Sequence, residues 1–155
     1  MNKKTMISIT AVVMAFLAIY IIGANPFNAQ MTGAAISAKN DGEFTIPASG
    51  VTEKVKFYEY DYNGKTIKFF AVRANDGSIK TGFDACDVCY GSKKGYRQEG
   101  DYLVCNNCGK RFAISGLGTE NKNPGGCWPG HLPGVVIGEN LAVEKSDLEA
   151  GVWRF

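Results

Sequence analysis

The pattern of polar and apolar positions changes once along this chain, close to residue 40. From Met6 to Ala24 nineteen residues run without a charge, and no charged residue occurs between Lys4 and Lys39. As a helix this stretch would span about 28 Å, close to the thickness of a bilayer's hydrocarbon core. Lys3 and Lys4 precede it, which favours an N-terminus inside and the remainder outside. A cleaved signal peptide has a shorter apolar centre and a small-x-small site, and the candidates around Gly23–Ala24 and Asn28–Ala29 fit poorly. The pattern therefore predicts a cytoplasmic N-terminus (1–5), a transmembrane signal-anchor helix (6–24), a small, polar linker (25–42) and an extracytoplasmic domain (43–155). That makes a single-pass protein of the cell membrane, with the lipid bilayer as its first partner.

Beyond the linker the period is two. "VKFYEYDY" (Val55 to Tyr62) and "TIKFFAVRA" (Thr66 to Ala74) are rich in aromatic and β-branched residues and read as strands. Asn63-Gly64 between them is a hairpin signal, because both residues tolerate positive φ. Asn75-Asp76-Gly77 makes a further turn, and "SIKTGF" leads as a third strand towards Cys86. "GYRQ" and "YLVC" flank Glu99-Gly100-Asp101 as a second hairpin, which delivers Cys105, and "KRFAI" continues as a strand after Cys108. A glycine- and proline-rich loop then precedes a last β pair, "GVVIGENLAVE". Ser146 is placed to cap one helical turn, "SDLEAG", closed by Gly151. The fold class is mainly β, a small mixed-β domain with a paired Cys-x-x-Cys metal-knuckle segment in its middle.

Charge removes one class of partner. Lysine and arginine total 17 against 15 acids, and the excess of two equals Lys3 and Lys4. The domain is neutral overall and has no long basic run, so no nucleic-acid partner is expected. The short cluster Lys93, Lys94 and Arg97 reads as a solvated hairpin or as a docking rim for an acidic redox partner. No nucleophile–base pair, phosphate loop or carboxylate dyad stands out, and no enzymatic activity is expected.

The cysteines change the picture most. Cys86, Cys89, Cys105 and Cys108 follow C-x2-C-x15-C-x2-C, and eighteen residues separate Cys108 from Cys127. Two Cys-x-x-Cys turns at the ends of adjacent strands aim four sulfurs at one point, as in zinc ribbons and rubredoxin-like sites. Gly91 and Gly109 are placed to allow positive-φ turns that direct backbone N–H groups at the sulfurs. The spacing alone leaves the centre open between structural zinc, iron and an iron–sulfur cluster. A thiol–disulfide pair is a further alternative, although neither pair opens an obvious helix. Cys127 reads either as a free thiol or as a fifth ligand, and His131, the lone histidine, as an additional candidate ligand. Phe112 is expected to pack against the knuckles and Trp128 to shield them.

The segments "FDACDVCYGSKKGYRQEGDYLVCNNCGKRFAI", "GGCWPG" and "DLEAG" together resemble the FtrD-like membrane iron–sulfur domain family over roughly residues 45–155. The resemblance implies a membrane-associated protein that binds iron or an iron–sulfur cluster through Cys86, Cys89, Cys105, Cys108 and Cys127. It also implies a role as an electron carrier or accessory beside a membrane metal-transport or redox partner, since some relatives are encoded with iron-uptake systems. This chain departs from the pattern in "CWPGHLP", where relatives tend to have a proline-rich segment and no histidine. It has one candidate membrane helix where larger relatives have several, so it is not itself a permease.

Overall fold

The computed structural model describes residues 41–155, and the predicted N-terminus (1–5), anchor helix (6–24) and linker up to residue 40 lie outside them. In chain order the described strands are β1 (Glu43–Pro47), β2 (Lys56–Tyr62), β3 (Lys65–Arg73), β4 (Ile79–Phe83), β5 (Tyr96–Glu99), β6 (Tyr102–Cys105), β7 (Arg111–Ala113), β8 (Val135–Ile137) and β9 (Asn140–Glu144). One short helix, α1 (Lys145–Ala150), follows. Among the described residues no helix is long and apolar enough to cross a membrane.

The strands form three antiparallel three-stranded sheets, β1-β9-β8, β2-β3-β4 and β5-β6-β7. Turn chemistry sets their register. Asn63 and Gly64 both take positive φ, 49° and 74°, and Tyr62 pairs with Lys65 across them. This is the two-residue turn whose twist matches that of the flanking strands. The predicted β2, β3 and β4 are present, as are the hairpin β5-β6, strand β7 and the pair β8-β9. The sequence reading missed β1, whose five residues "EFTIP" pair with β9 from Glu43↔Glu144 to Pro47↔Asn140.

Strand β3 explains why the sheets stay together. Its side chains alternate, yet both faces are apolar. Ile67, Phe69 and Ala71 enter a core with Ile46 of β1 and Leu141 and Val143 of β9. Phe70 and Val72 enter a second core with Leu103 of β6, Phe112 of β7 and the cysteines Cys86 and Cys105. The run of hydrophobic residues in β3 is thus the mark of a strand covered on both sides.

Two details of the C-terminal turn differ from expectation. Helix α1 begins at Lys145 after Glu144, and no side chain caps its first turn, so Ser146 lies inside the helix. Gly151 ends the helix with φ −83°, outside the left-handed region. Glycine is needed there for space, because a Cβ would collide with the buried Phe83 ring. Gly151→Ala is accordingly expected to destabilise the domain by about 1–3 kcal/mol through overpacking. Ser146→Ala should stay within about 0.5 kcal/mol of wild type, where loss of a true cap would cost about 1 kcal/mol. Denaturant midpoints of the two variants check both values.

Candidate metal centre

The first knuckle begins where β4 ends. The chain passes Asp84 and Ala85 into Cys86, and the N–H of Cys89 donates to Cys86 Sγ at 2.9 Å. A single 3-10 turn, Tyr90–Ser92, follows. The second knuckle begins at the last residue of β6, with Cys105 paired to Tyr96 of β5. The N–H groups of Cys108 and Asn107 favour the thiolate of Cys105. That of Lys110 favours the thiolate of Cys108. Gly109 takes φ 73°, as the knuckle requires. Gly91 does not take positive φ: the 3-10 turn keeps an ordinary backbone there, and Lys93 reverses the chain instead, with φ 56°.

The two knuckles meet. Donor sulfurs of Cys89, Cys105 and Cys108 all lie within 4.8 Å of one another, and so do those of Cys86, Cys89 and Cys127. The triads share Cys89, so the five sulfurs form one connected cluster, and each is a free thiol. Cys86 and Cys105 are buried, Cys89 and Cys127 half-buried and Cys108 exposed. His131 belongs to neither group. Its backbone forms an isolated bridge with Gly82, and the residue lines one pocket with Lys122 and Leu132 and another with Asp87 and Arg154. Burial, then the charge of Lys122, holds its pKa below the ordinary histidine value.

Ionisation of this cluster is contested. Burial pushes the Cys105 thiol up, against the N–H groups of Cys108 and Asn107. Burial and then Cys108 push Cys127 up. For Cys89 the strongest single influence, a hydrogen bond from the Asn107 side chain, acts downward, but burial and Cys86 together leave it raised. Cys108 moves down, chiefly because the Lys110 N–H stabilises its thiolate. Crowded thiolates with N–H donors already in place suit a bound cation. Its charge relieves the mutual repulsion, and the N–H groups remain with the sulfurs. The donor set therefore fits a thiolate-held metal.

The cysteine spacing gave no sign of the supports around the cluster. The Tyr96 hydroxyl donates to the Cys127 carbonyl at 2.6 Å, and burial and then Cys86 drive its pKa far upward. Asp87, inside the first knuckle, accepts from the Gly125 N–H at 2.7 Å and from Arg154 at 2.8 and 3.0 Å. The ion pair is nearly buried, with side chains 10% and 15% exposed. Gly130 donates to Ala85 at 2.8 Å and accepts from Phe83 at 2.9 Å. These bonds sew the loop carrying Cys127 onto the first knuckle. Phe112 and Trp128 pack together beside it, with ring centroids 4.9 Å apart, as their positions beside the cysteines predict. The readable signals were an acid within "CDVC" and an amide within "CNNC"; nothing in the spacing marked Arg154.

Asp84 is the other half-buried acid at the site. It accepts the Tyr96 N–H at 2.7 Å. Burial raises its pKa to about 6, against the opposing influence of that bond and of Lys68.

Two outcomes follow from these supports. Arg154→Ala strands Asp87 without its counter-charge, with an expected loss of about 3 kcal/mol and faster maleimide labelling of Cys127. Denaturant titration and thiol labelling measure the two. Asp84 binds a proton in the folded state between about pH 4 and pH 6 that the unfolded chain has released. Its contribution to stability is therefore complete below pH 4 and falls as pH rises to 6. Relative to Asp84→Asn, wild type should lose on the order of 2 kcal/mol across that window and nothing further above it. Parallel stability–pH curves for the two proteins would contradict this.

Comparison with known proteins agrees with this geometry. No curated protein and no solved structure matches the chain. Residues 51–155, which hold every strand from β2 onward and all five cysteines, match the family described as membrane iron–sulfur containing protein, FtrD-like. The chain belongs to the FtrD-like membrane iron–sulfur family.

Proposed function

We propose that this protein is a membrane-anchored, extracytoplasmic carrier of an iron or iron–sulfur centre. In this reading it passes electrons, as an accessory to a membrane metal-transport or redox system, and is not itself an enzyme. The observation that carries the reading is the pair of sulfur triads joined at Cys89. Cys86, Cys89, Cys105 and Cys108 would hold the centre, with Cys127 as a fifth sulfur completing or exchanging into the site. An iron-based centre supplies one reversible electron. The protein's part is to aim backbone N–H groups at the sulfurs, exclude water on the Phe112 and Trp128 side, and leave Cys108 exposed. The family description supports iron–sulfur and a membrane setting. The charge-free stretch 6–24 behind two lysines supports the anchor and the outward domain.

Structural zinc is the second reading, favoured by the same knuckle geometry, because four thiolates satisfy a closed tetrahedral site. Thiol–disulfide exchange has less support: neither Cys-x-x-Cys opens an α-helix whose dipole would activate a thiol.

The full chain purified anaerobically in detergent separates these readings. A coloured protein containing iron, bleaching reversibly with dithionite and giving an EPR signal in one redox state, is the expected result. A colourless protein with one tightly held zinc overturns the electron-carrier reading. Cys89→Ser, which breaks both triads, should remove most of the bound metal. Cys127→Ser should retain it with an altered spectrum, and an unaltered one makes Cys127 a bystander. An active alkaline phosphatase fused to the C-terminus is expected from an outward-facing domain.

A further inference from the structure

A pocket of about 480 Å³ opens against one side of the cysteine cluster, where Cys86, Cys89 and Cys105 form part of its wall. Cations from three separate stretches of chain converge on it. Lys65 and Lys68 come from β3, Lys93 and Lys94 from the loop after the first knuckle, and Arg154 from the C-terminal turn. Among the described residues Asp84 is the only acidic side chain in the lining, and its carboxylate already accepts the Tyr96 N–H. In a domain whose charges otherwise balance, this is a local surplus of positive charge.

The five cations are not equivalent. Arg154 is committed to Asp87. Lys65 donates to the Phe155 carbonyl at 2.9 Å. Lys68 lies 3.4 Å from Glu59 in a pair whose side chains are both more than half exposed, a weak attachment. Among the described residues the ammonium groups of Lys93 and Lys94 have no hydrogen-bond or ion-pair partner. Lys93 is also strained, since φ 56° is left-handed backbone that a lysine rarely adopts. Only one other non-glycine described residue does so, Asn63, and there the hairpin requires it. Lys93 takes that backbone as the left-handed cap that closes the 3-10 turn Tyr90–Ser92, its N–H donating to the Tyr90 carbonyl. Tyr90 and Phe155 add apolar rings to the wall, which suits a ligand with a carbon skeleton.

We propose that this pocket binds a small polyanion, a molecule carrying two or more carboxylate or phosphate groups, gripped by Lys93 and Lys94 with Lys68 at the edge of the cysteine cluster. The ligand sits in contact range of the sulfur centre but is held by ammonium groups, so the site does not depend on which metal the cysteines bind.

Calorimetry on the full chain in detergent at low ionic strength tests it with two probes. Tricarballylate carries three carboxylates without the hydroxyl that makes citrate strip metals, and inorganic phosphate lacks a carbon skeleton. Saturable binding of tricarballylate, one per chain and weakened at least tenfold in Lys93→Gln/Lys94→Gln, is expected. Weaker binding of phosphate supports a ligand with two or more anionic groups, whereas equal or tighter binding of phosphate, a single anionic group, overturns it. Lys93→Gly/Lys94→Gln removes the same charges while relaxing the backbone at residue 93, and should lose binding equally. The proposal is overturned if neither probe binds saturably, which would leave the lysines as counter-charge to the thiolates. It is also overturned if binding survives both double substitutions, or if only a polyglutamate peptide binds, which would make the face a dock for an acidic protein. Metal content and near-UV circular dichroism are read on the same samples, so failure of the anion site and failure of the metal centre are told apart.

Discussion

Phe69 and Phe70 are neighbours in β3, are both fully buried, and point into different cores. Burying a side chain of this size contributes roughly 1.5–3 kcal/mol. The larger consequence is positional. The face carrying Phe69 locks β3 to the sheet of β1 and β9, and the face carrying Phe70 forms the floor on which the β5-β6-β7 sheet and the two knuckles rest. Cys86 and Cys105 are members of that second core, packed with Phe70, Leu103 and Phe112. A slip of one residue in the β3 register would exchange the two faces and turn Lys68, now exposed, towards the first core. The sulfur geometry is therefore inherited from the packing of one strand rather than built by the knuckles alone.

Fixing sulfurs in this way creates an electrostatic problem that the protein solves only in part. Buried thiolates repel one another and lose solvation. Backbone N–H groups from Cys89, Asn107, Cys108 and Lys110 offset some of this. The directions of the thiol shifts record what is left over, upward at the half-buried Cys89 and Cys127 and the buried Cys105, downward at the exposed Cys108. Tyr96 and the Asp87–Arg154 pair hold the Cys127 loop against the first knuckle, and the β5-β6 hairpin holds the second. A cation completes such an arrangement more effectively than any further hydrogen bond.

How much of this was legible in the sequence depended on whether the signal was local. Alternation and turn residues announced β2 to β7 and the β8-β9 pair, because Asn63-Gly64 and Gly100 carry their conformation in their own identity. The paired Cys-x-x-Cys spacing announced the knuckles for the same reason. Strand β1 was not legible, since "EFTIP" has little pattern of its own and is a strand because β9 pairs with it. Ser146 looked like a cap and Gly151 like a left-handed stop, yet Glu144 of β9 leads straight into the helix, and Gly151 is small because Phe83 is there. Arg154 lies 67 residues from Asp87, and no local rule links a penultimate arginine to an acid inside a knuckle. His131 drew notice by being the lone histidine, while its position was set by backbone pairing with Gly82, which its identity does not reveal.

The same scaffold gives the cysteine cluster two unlike sides. Cys86, Cys89 and Cys105 border a concave, lysine-rich pocket, whereas Cys108 is exposed on the second knuckle and Cys127 sits half-buried in the loop beside Trp128. Cys89 belongs to both triads and also lines the pocket, so it is where the two sides meet. Positive charge beside a thiolate centre has two effects that act together. It lowers the energy of added negative charge at the centre, and it draws anions to that face in preference to the other. A ligand bound there as proposed would lie against Cys86, Cys89 and Cys105 and sense the charge state of the centre. Reciprocally, by linkage, the charge state of the centre would set how tightly the anion is held. On that proposal occupancy of the pocket and charge on the cluster would be one coupled equilibrium, and β3 would join them, since it supplies both the floor of the core and Lys65 and Lys68 of the pocket wall.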